Sequence, residues 1–458
     1  MAEIQKCIGD VIQLTGISEN YKNENETLRN EINAIMAQLN ALKQQLNIQQ
    51  LGTNEDEEEE EDEDIDDDDD DDDEDEVEDE NEDDEEVNGE RRRKIFDLNE
   101  VPVFDTVLRS SRFKMREPDE YFKHIIKQYK KNKREGVEVV RPSSINVGKR
   151  KVVVIGDLHG DIDGLLATLY VARLIDVGGN WIGGDTVIVQ LGDQIDRKRV
   201  NGSDVSVTSP RHPELEVLQY VEWLNKEAEK QGGQFISLLG NHELIYHDKR
   251  THERKSKYVT TKDLADFGGS MKDRLQTFQV LFKTVYANRG VILKIGNWIF
   301  SHGDSPTESM YYDTNDFMEA VHLYITEHLG ENVTHTKKEE EETLEGIIKT
   351  FIQHCTFDRN FCANPNAQYD GKYKFVHAHT SGSDIRHDQP FLYCIDTGRS
   401  LAFKADTTQD DRVHHLERAQ SLQIENIHSD NPKVTILKAK LPEISGGRFL
   451  RYTDVLSF

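Results

Sequence analysis

Cysteine is scarce: four residues in 458, at Cys7, Cys355, Cys362 and Cys394. They are too few and too scattered for a disulfide scaffold, and none forms the C-x-x-C pairing of a zinc site. A reducing compartment is the expectation; Cys355 and Cys362 flank Arg359 and could be oxidised, with inert packing as the default. Long apolar runs are also missing. No stretch of about 18 apolar residues occurs, so no membrane-spanning helix is expected. The amino terminus lacks a basic start followed by an apolar stretch, so a secretory signal is not expected. These absences predict a cytoplasmic, intracellular chain, with the nucleus or a virion as alternatives. Hydrophobic residues make up 36%, low for a wholly globular chain.

What is abundant is acid. Asp and Glu total 88 against 56 Lys and Arg, a formal net charge of −32. The surplus is local: of the 32 positions from Glu55 to Glu86, 29 are acidic. Removing those 29 charges from −32 leaves −3, so everything else is nearly neutral. Residues 51–90 are predicted to be a disordered linker, because like charges repel and no apolar surface is there to bury. It reads as a solvating spacer, or as a strip for a basic protein partner.

Residues 1–50 read as a coiled coil. Ile32, Leu39 and Leu46 fall in one column of a seven-residue repeat, and Leu28, Ile35 and Leu42 in the other. Asn25 lies in the first column, where a buried amide fixes register. Ser18 also lies in that column, and Gly9 and Gly16 weaken the first turns. A homo-oligomer formed through this segment is expected, with a single helix packed on the body as the alternative. Residues 91–150 form a basic extension; with Lys151 included they hold 18 Lys and Arg against 8 Asp and Glu. Compensation of the acidic neighbour explains that surplus more simply than nucleic-acid binding. A helix is predicted near Pro118–Lys133, with Phe122, Ile125, Ile126 and Tyr129 as its apolar stripe.

Residues 151–441 change character, and 442–458 read as a tail. Short β-branched runs at Lys151–Ile155, Thr186–Leu191, Gln234–Leu239, Val291–Ile295, Trp298–Ser301 and Lys374–His377 alternate with helical stretches at Gly164–Ile175 and Glu214–Lys230. That alternation predicts an α/β domain. Asp304–Ile347 reads as a polar surface insertion, and Phe391–Leu441 as further strands.

Five of the strands end in metal-liking residues. They run Gly156-Asp157-Leu158-His159-Gly160, then Gly192-Asp193-Gln194-Ile195-Asp196-Arg197, then Gly240-Asn241-His242-Glu243, then Ser301-His302-Gly303-Asp304, then His377-Ala378-His379-Thr380. In extended backbone, positions i and i+2 point to the same side, so Asp157 and His159 can grip one ion together. Ligands of open α/β sheets sit beyond the carboxyl ends of the strands. Carboxylates, an amide oxygen and imidazoles suit two divalent metal ions such as Mn, Fe or Zn better than Ca. Asp193 is the natural bridge between two such ions.

These five motifs, in this order, resemble the calcineurin-like metallophosphoesterases, and within them the PPP-type phosphatases. The resemblance covers about Lys151 to Phe403. It implies a sandwich of two mixed β-sheets flanked by helices. It implies Asp157, His159 and Asp193 on a first metal, and Asp193, Asn241, His302 and His379 on a second. His242 would be the general acid, oriented by Asp196, with Arg197 clamping phosphate and Arg359 as a second phosphate arginine. The family's Gly after Asp-Arg is Lys198 here, the Arg before Gly-Asn-His-Glu is Leu239, and the second Gly of His-Gly-Gly is Asp304. These departures, with Ile395-Asp396-Thr397-Gly398, look more like bacterial, phage and Shewanella-like branches than eukaryotic protein phosphatases.

The expected activity is hydrolysis of phosphate monoesters by a metal-activated hydroxide, with phosphorylated protein as substrate. Hydrolysis of dinucleoside polyphosphates or another nucleotide is the alternative enzymatic reading. A catalytically weak scaffold, working through the coiled coil and acidic strip, is the non-enzymatic one. His247, His252, His354 and His387 are expected at the surface or beside the site, and Glu243 is expected to orient a loop.

Overall fold

A computed structural model describes residues 95–97, 102–110, 112–135, 143–197, 212–248, 258–334, 343–363, 371–400, 411–440, 449–452 and 456–457. The heptad segment 1–50 and the acidic run 51–90 lie outside the described residues.

The strands are β1 (Ile95–Asp97), β2 (Ser144–Ile145), β3 (Val152–Ile155), β4 (Val187–Gln190), β5 (Gln234–Ser237), β6 (Ile292–Ile295), β7 (Trp298–Ser301), β8 (Lys374–His377), β9 (Arg386–Gln389), β10 (Leu392–Cys394), β11 (Ser421–Glu425), β12 (Lys433–Leu437), β13 (Ala439–Lys440), β14 (Phe449–Tyr452) and β15 (Leu456–Ser457). The helices are α1 (Phe104–Ser110), α2 (Pro118–Glu135), α3 (Ile162–Val171), α4 (Pro213–Glu229), α5 (Asn241–Ile245), α6 (Thr261–Asp266), α7 (Met271–Phe282), α8 (Asn315–Glu327), α9 (Leu344–Phe357), α10 (Asn360–Ala363) and α11 (Asp411–Arg418).

One sheet runs β15-β12-β11-β3-β4-β5, and a second runs β2-β6-β7-β8-β10-β9. Both are mixed: β3, β4 and β5 are mutually parallel while β11 is antiparallel to β3. In the other, β7 and β8 are parallel and β6 and β7 antiparallel. The α/β class is what the strand–helix alternation predicts, and the two mixed sheets flanked by helices are what the resemblance implies.

Period-2 side-chain alternation decides what each strand face meets. Val152 and Val154 face inward, meeting Trp298, Phe300, Val376 and Tyr393 of the opposite sheet. Val153 and Ile155 face outward onto Leu165, Leu166 and Leu169 of α3 and Val217 and Leu224 of α4. On the far side, Ile292, Ile299 and Phe375 meet Phe278, Val321, Phe351 and Ile352 of the helices α7, α8 and α9. Each sheet therefore carries apolar residues on both faces, which explains near-continuous runs such as Val152–Ile155.

Three expectations need correction. The segment Asp304–Ile347 is not a surface excursion. It contains α8, whose Met318, Val321, Tyr324 and Ile325 are buried at helical spacing. His247 is not a surface residue. It is buried, with ring nitrogens bonded to Ile325 O (2.6 Å) and Glu331 O (3.1 Å). Cys362 is not an unpaired packing residue. It forms a disulfide with Cys394, because α10 lies against β10, whereas Cys355 is free and buried. At the margins of the body, β2 pairs with β6, β15 pairs with β12, and Phe104, Val107, Tyr121 and Ile125 are buried in its cores.

Candidate metal centre

Three of the five motif loops carry residues in left-handed backbone at strand ends, a region that ordinary side chains rarely occupy. Among non-glycine residues, His159, Asp193, Asp196 and His379 all have positive φ, of 43°, 51°, 64° and 62°. Such strain persists only where surroundings over-determine it. At Asp193 the clamp is Glu243, which is fully buried. Its carboxylate accepts the backbone N–H groups of Asp193 (2.9 Å), Gln194 (2.8 Å) and Gly240 (2.8 Å). Glu243 thus orients a loop, as its position predicts. Gly240 has no substitute here, since a Cβ on it would stand 2.1 Å from Asp193 Oδ1.

The loops are zipped to one another by backbone bonds. His159 N donates to Asp193 O (2.8 Å), Gly160 N to Gln194 O (2.8 Å), and Ala378 N to His302 O (2.8 Å). Carbonyls also set the imidazoles. Nδ1 of His159 lies 3.1 Å from Ile195 O and Nδ1 of His302 lies 2.9 Å from Leu191 O. Each ring therefore turns Nε2 into the centre.

There the side chains converge on Asp193, which is almost wholly buried. Asp193 Oδ2 lies 3.7 Å from His159 Nε2, 3.2 Å from His302 Nε2 and 3.9 Å from His242 Nε2. Asp157 lies 3.7 Å from His159 and 3.5 Å from His302. His302 Nε2 is 2.9 Å from Asn241 Oδ1 and 3.0 Å from His379 Nδ1. Among the described residues, two groups have ligand atoms within 4.8 Å of one another: His159, Asp193 and His242, and Asp193, His302 and His379. Asp193 belongs to both.

The chemistry of this donor set fits divalent cations. Three imidazoles, two carboxylates and the Asn241 amide are gathered in one buried cluster, a hard-to-intermediate set of N and O donors with no thiolate. Burial opposes charge on His302, yet Asp193 and Asp157 raise its pKa to about 9. Asp193 itself is held well below the usual carboxylate range. Burial acts the other way there, and the imidazoles of His302 and His242 outweigh it.

His242 stands apart from the ligands by its second nitrogen. Its Nδ1 lies 2.9 Å from Asp196 Oδ2 rather than against a carbonyl. Arg197 is buried, with Nε on Asp263 Oδ1 (3.0 Å) and Nη2 on Thr260 Oγ1 (3.2 Å). Gly160 leaves it room, since a Cβ there would stand 2.5 Å from Arg197 Cγ. Arg359 is exposed, with Nε 3.0 Å from His379 Nε2. The candidate residues therefore gather at the strand ends of both sheets, with Arg197 reached through Gly160 and Arg359 through His379. The motif reading missed Asp263, Arg274, Tyr246 and Glu214, which support this shell. Helix periodicity marks Arg274 only as a charge on α7, and nothing local names its partners.

A family pattern described as calcineurin-like phosphoesterase matches residues 150–381. Shewanella-like protein phosphatase 2 of Arabidopsis thaliana is 38% identical over 117 residues, 26% of this chain and 25% of the relative. Shewanella-like protein phosphatase 1 of Plasmodium berghei is 36% identical over 95 residues, 21% of this chain and 23% of the relative. The chain thus spans about a quarter of the length of the curated relatives it matches. A cold-active protein tyrosine phosphatase structure aligns with a TM-score of 0.46 at 19% identity, covering 66% of this chain and 80% of that one.

Proposed function

The chain belongs to the calcineurin-like phosphoesterase family, and from that premise we propose that it is a dinuclear-metal phosphoric monoester hydrolase acting on phosphorylated protein. The observation that carries this reading is the buried Asp193 carboxylate, whose Oδ2 lies 3.7 Å from His159 Nε2 and 3.2 Å from His302 Nε2, with the His242–Asp196 pair beside it. Asp157, His159 and Asp193 would hold one divalent ion, and Asp193, Asn241, His302 and His379 the other. Mn, Fe and Zn all suit these donors. Bound there, such ions supply a water of lowered pKa and neutralise phosphate oxygens.

The chain's own residues do the rest. Arg197, braced through Nε by Asp263, keeps Nη1 for a phosphate oxygen, and Arg359 at the rim adds a second fork. Asp196 fixes Nδ1 of His242 and leaves Nε2 facing the substrate. From that atom the proton passes to the departing oxygen as the P–O bond breaks. Burial of the ligands keeps bulk water from screening these charges.

Phosphopeptides compared with diadenosine tetraphosphate, in Mn, Fe and Zn, test the assignment. Metal-dependent release of phosphate from the peptides is expected. Cleavage of the dinucleotide alone would favour the nucleotide-hydrolase reading, and inactivity toward both would leave the scaffold reading. Self-association through residues 1–50 belongs to the same proposal. Proline at Ile32 and Leu39 should lower the mass measured by light scattering. The 29 acidic positions between Glu55 and Glu86 would bind a basic protein partner, in an interaction that weakens with salt.

A further inference from the structure

Behind His242 lies a buried charge cluster that the reaction does not touch directly. Asp196 offers two oxygens. Oδ2 meets His242 Nδ1 at 2.9 Å, while Oδ1 accepts from Tyr246 OH (2.7 Å) and from Arg274 Nη2 (2.7 Å). Arg274, on α7, is fully buried. Its Nη1 donates to Glu214 Oε2 (2.7 Å) and its Nε to Tyr246 OH (2.9 Å). Glu214 Oε1 in turn accepts the backbone N–H of Asp196 (2.7 Å). Aromatic rings enclose the guanidinium, with Tyr246, Phe267 and Phe278 centroids at 5.0, 4.7 and 4.8 Å.

We propose that Arg274 is a positioning residue for proton donation. With Tyr246 it engages Oδ1 of Asp196, so that Oδ2 alone serves His242 and the imidazole is locked with Nε2 toward the reacting oxygen. Three features support this over a generic buried ion pair. The cluster grips the side chain and the backbone N–H of the same aspartate. That aspartate has a φ of 64°, which it holds only while clamped. The fork also meets two carboxylates and a hydroxyl through three separate nitrogens, a match that lysine's point charge reproduces only in part. The inference rests on the phosphomonoesterase reading.

The test uses the metal-loaded full chain and two substrates that differ in their need for a proton. A phosphoserine peptide leaves as an alkoxide and needs the acid; p-nitrophenyl phosphate leaves as a stable phenolate and hardly does. Arg274→Met should lower turnover on the peptide by about a hundredfold and on the aryl ester by less than about tenfold, with KM nearly unchanged. Arg274→Lys should recover part of the loss. In metal-free protein, the His242 Nδ1–H resonance in ¹H–¹⁵N spectra should move upfield in Arg274→Met. Equal losses on both substrates, or no loss, would overturn the proposal.

Tyr246→Phe removes one donor to Oδ1 without stranding a charge. It should show the same substrate split at smaller size, and it decides alone if Arg274→Met does not fold. Wild-type protein inactive on both esters would sink the functional reading itself. An active wild type with evenly impaired variants sinks only the role of Arg274.

Discussion

His242 differs from His159 and His302 in the partner of its Nδ1. His159 and His302 rest Nδ1 on carbonyls and turn Nε2 inward, while His242 rests Nδ1 on a carboxylate. Replacing it with Asn should lower turnover by about 10²–10⁴-fold while metal content, read by elemental analysis, persists; unchanged turnover would contradict the role. A second residue, Glu216, is remote from the ligands. It is buried with Oε1 on His212 N (3.0 Å) and, among the described residues, no hydrogen-bond partner for Oε2, and burial raises its pKa to about 8. A carboxyl with a raised native pKa holds its proton longer in the folded state than in the unfolded one. Stability therefore falls as pH rises from its ordinary 4.5 toward 8, by about 1.4 kcal/mol per pH unit at most. Glu216→Gln should unfold at higher urea than wild type near pH 8, with the gap closing below pH 4.5. Asp157, Asp193 and His302 were legible from sequence because each ends an apolar strand within a short local signature. Glu216 and Arg274 were not, because their meaning lies in partners distant along the chain. Arg274 meets Asp196 across 78 residues.

Elements were legible where their signals are local. The expected strands at 151–155, 186–191, 234–239, 291–295, 298–301 and 374–377 all contain observed ones. The first body helix begins at Ile162, two residues before its expected start, because Asp161 caps it: its carboxylate accepts Gly164 N (2.9 Å). The same carboxylate pairs with His415 of α11 (2.9 Å). Asp161→Ala should therefore destabilise the fold by about 1–2 kcal/mol, measured as a lower urea midpoint. An unshifted midpoint would show that neither contact matters. The helix α8 carried a readable signal in Met318, Val321 and Ile325 at helical spacing, but the charged stretch after it obscured the pattern. The Cys362–Cys394 pairing had no such signal: 32 residues separate the two, and only the docking of α10 beside β10 brings them together.

At the scale of the molecule, the ligands divide between two sheets. Asp157, His159, Asp193 and Asn241 follow β3, β4 and β5, while His302 and His379 follow β7 and β8. A cation held by both sets binds the native state and not the unfolded chain, so it stabilises by mass action, about 2.7 kcal/mol at a hundred times its dissociation constant. Removing metal with a chelator should lower the melting temperature, and added Mn should restore it in a concentration-dependent way; a melting point indifferent to both would argue against a native metal centre. The same division bears on how the chain matures. A partly folded molecule with only one of its sheets assembled has a fragment of the coordination sphere and none of the chemistry. On the proposed function, recovery of phosphate release during refolding should lag behind recovery of strand signal, because the ligand set is complete only when the last layer closes.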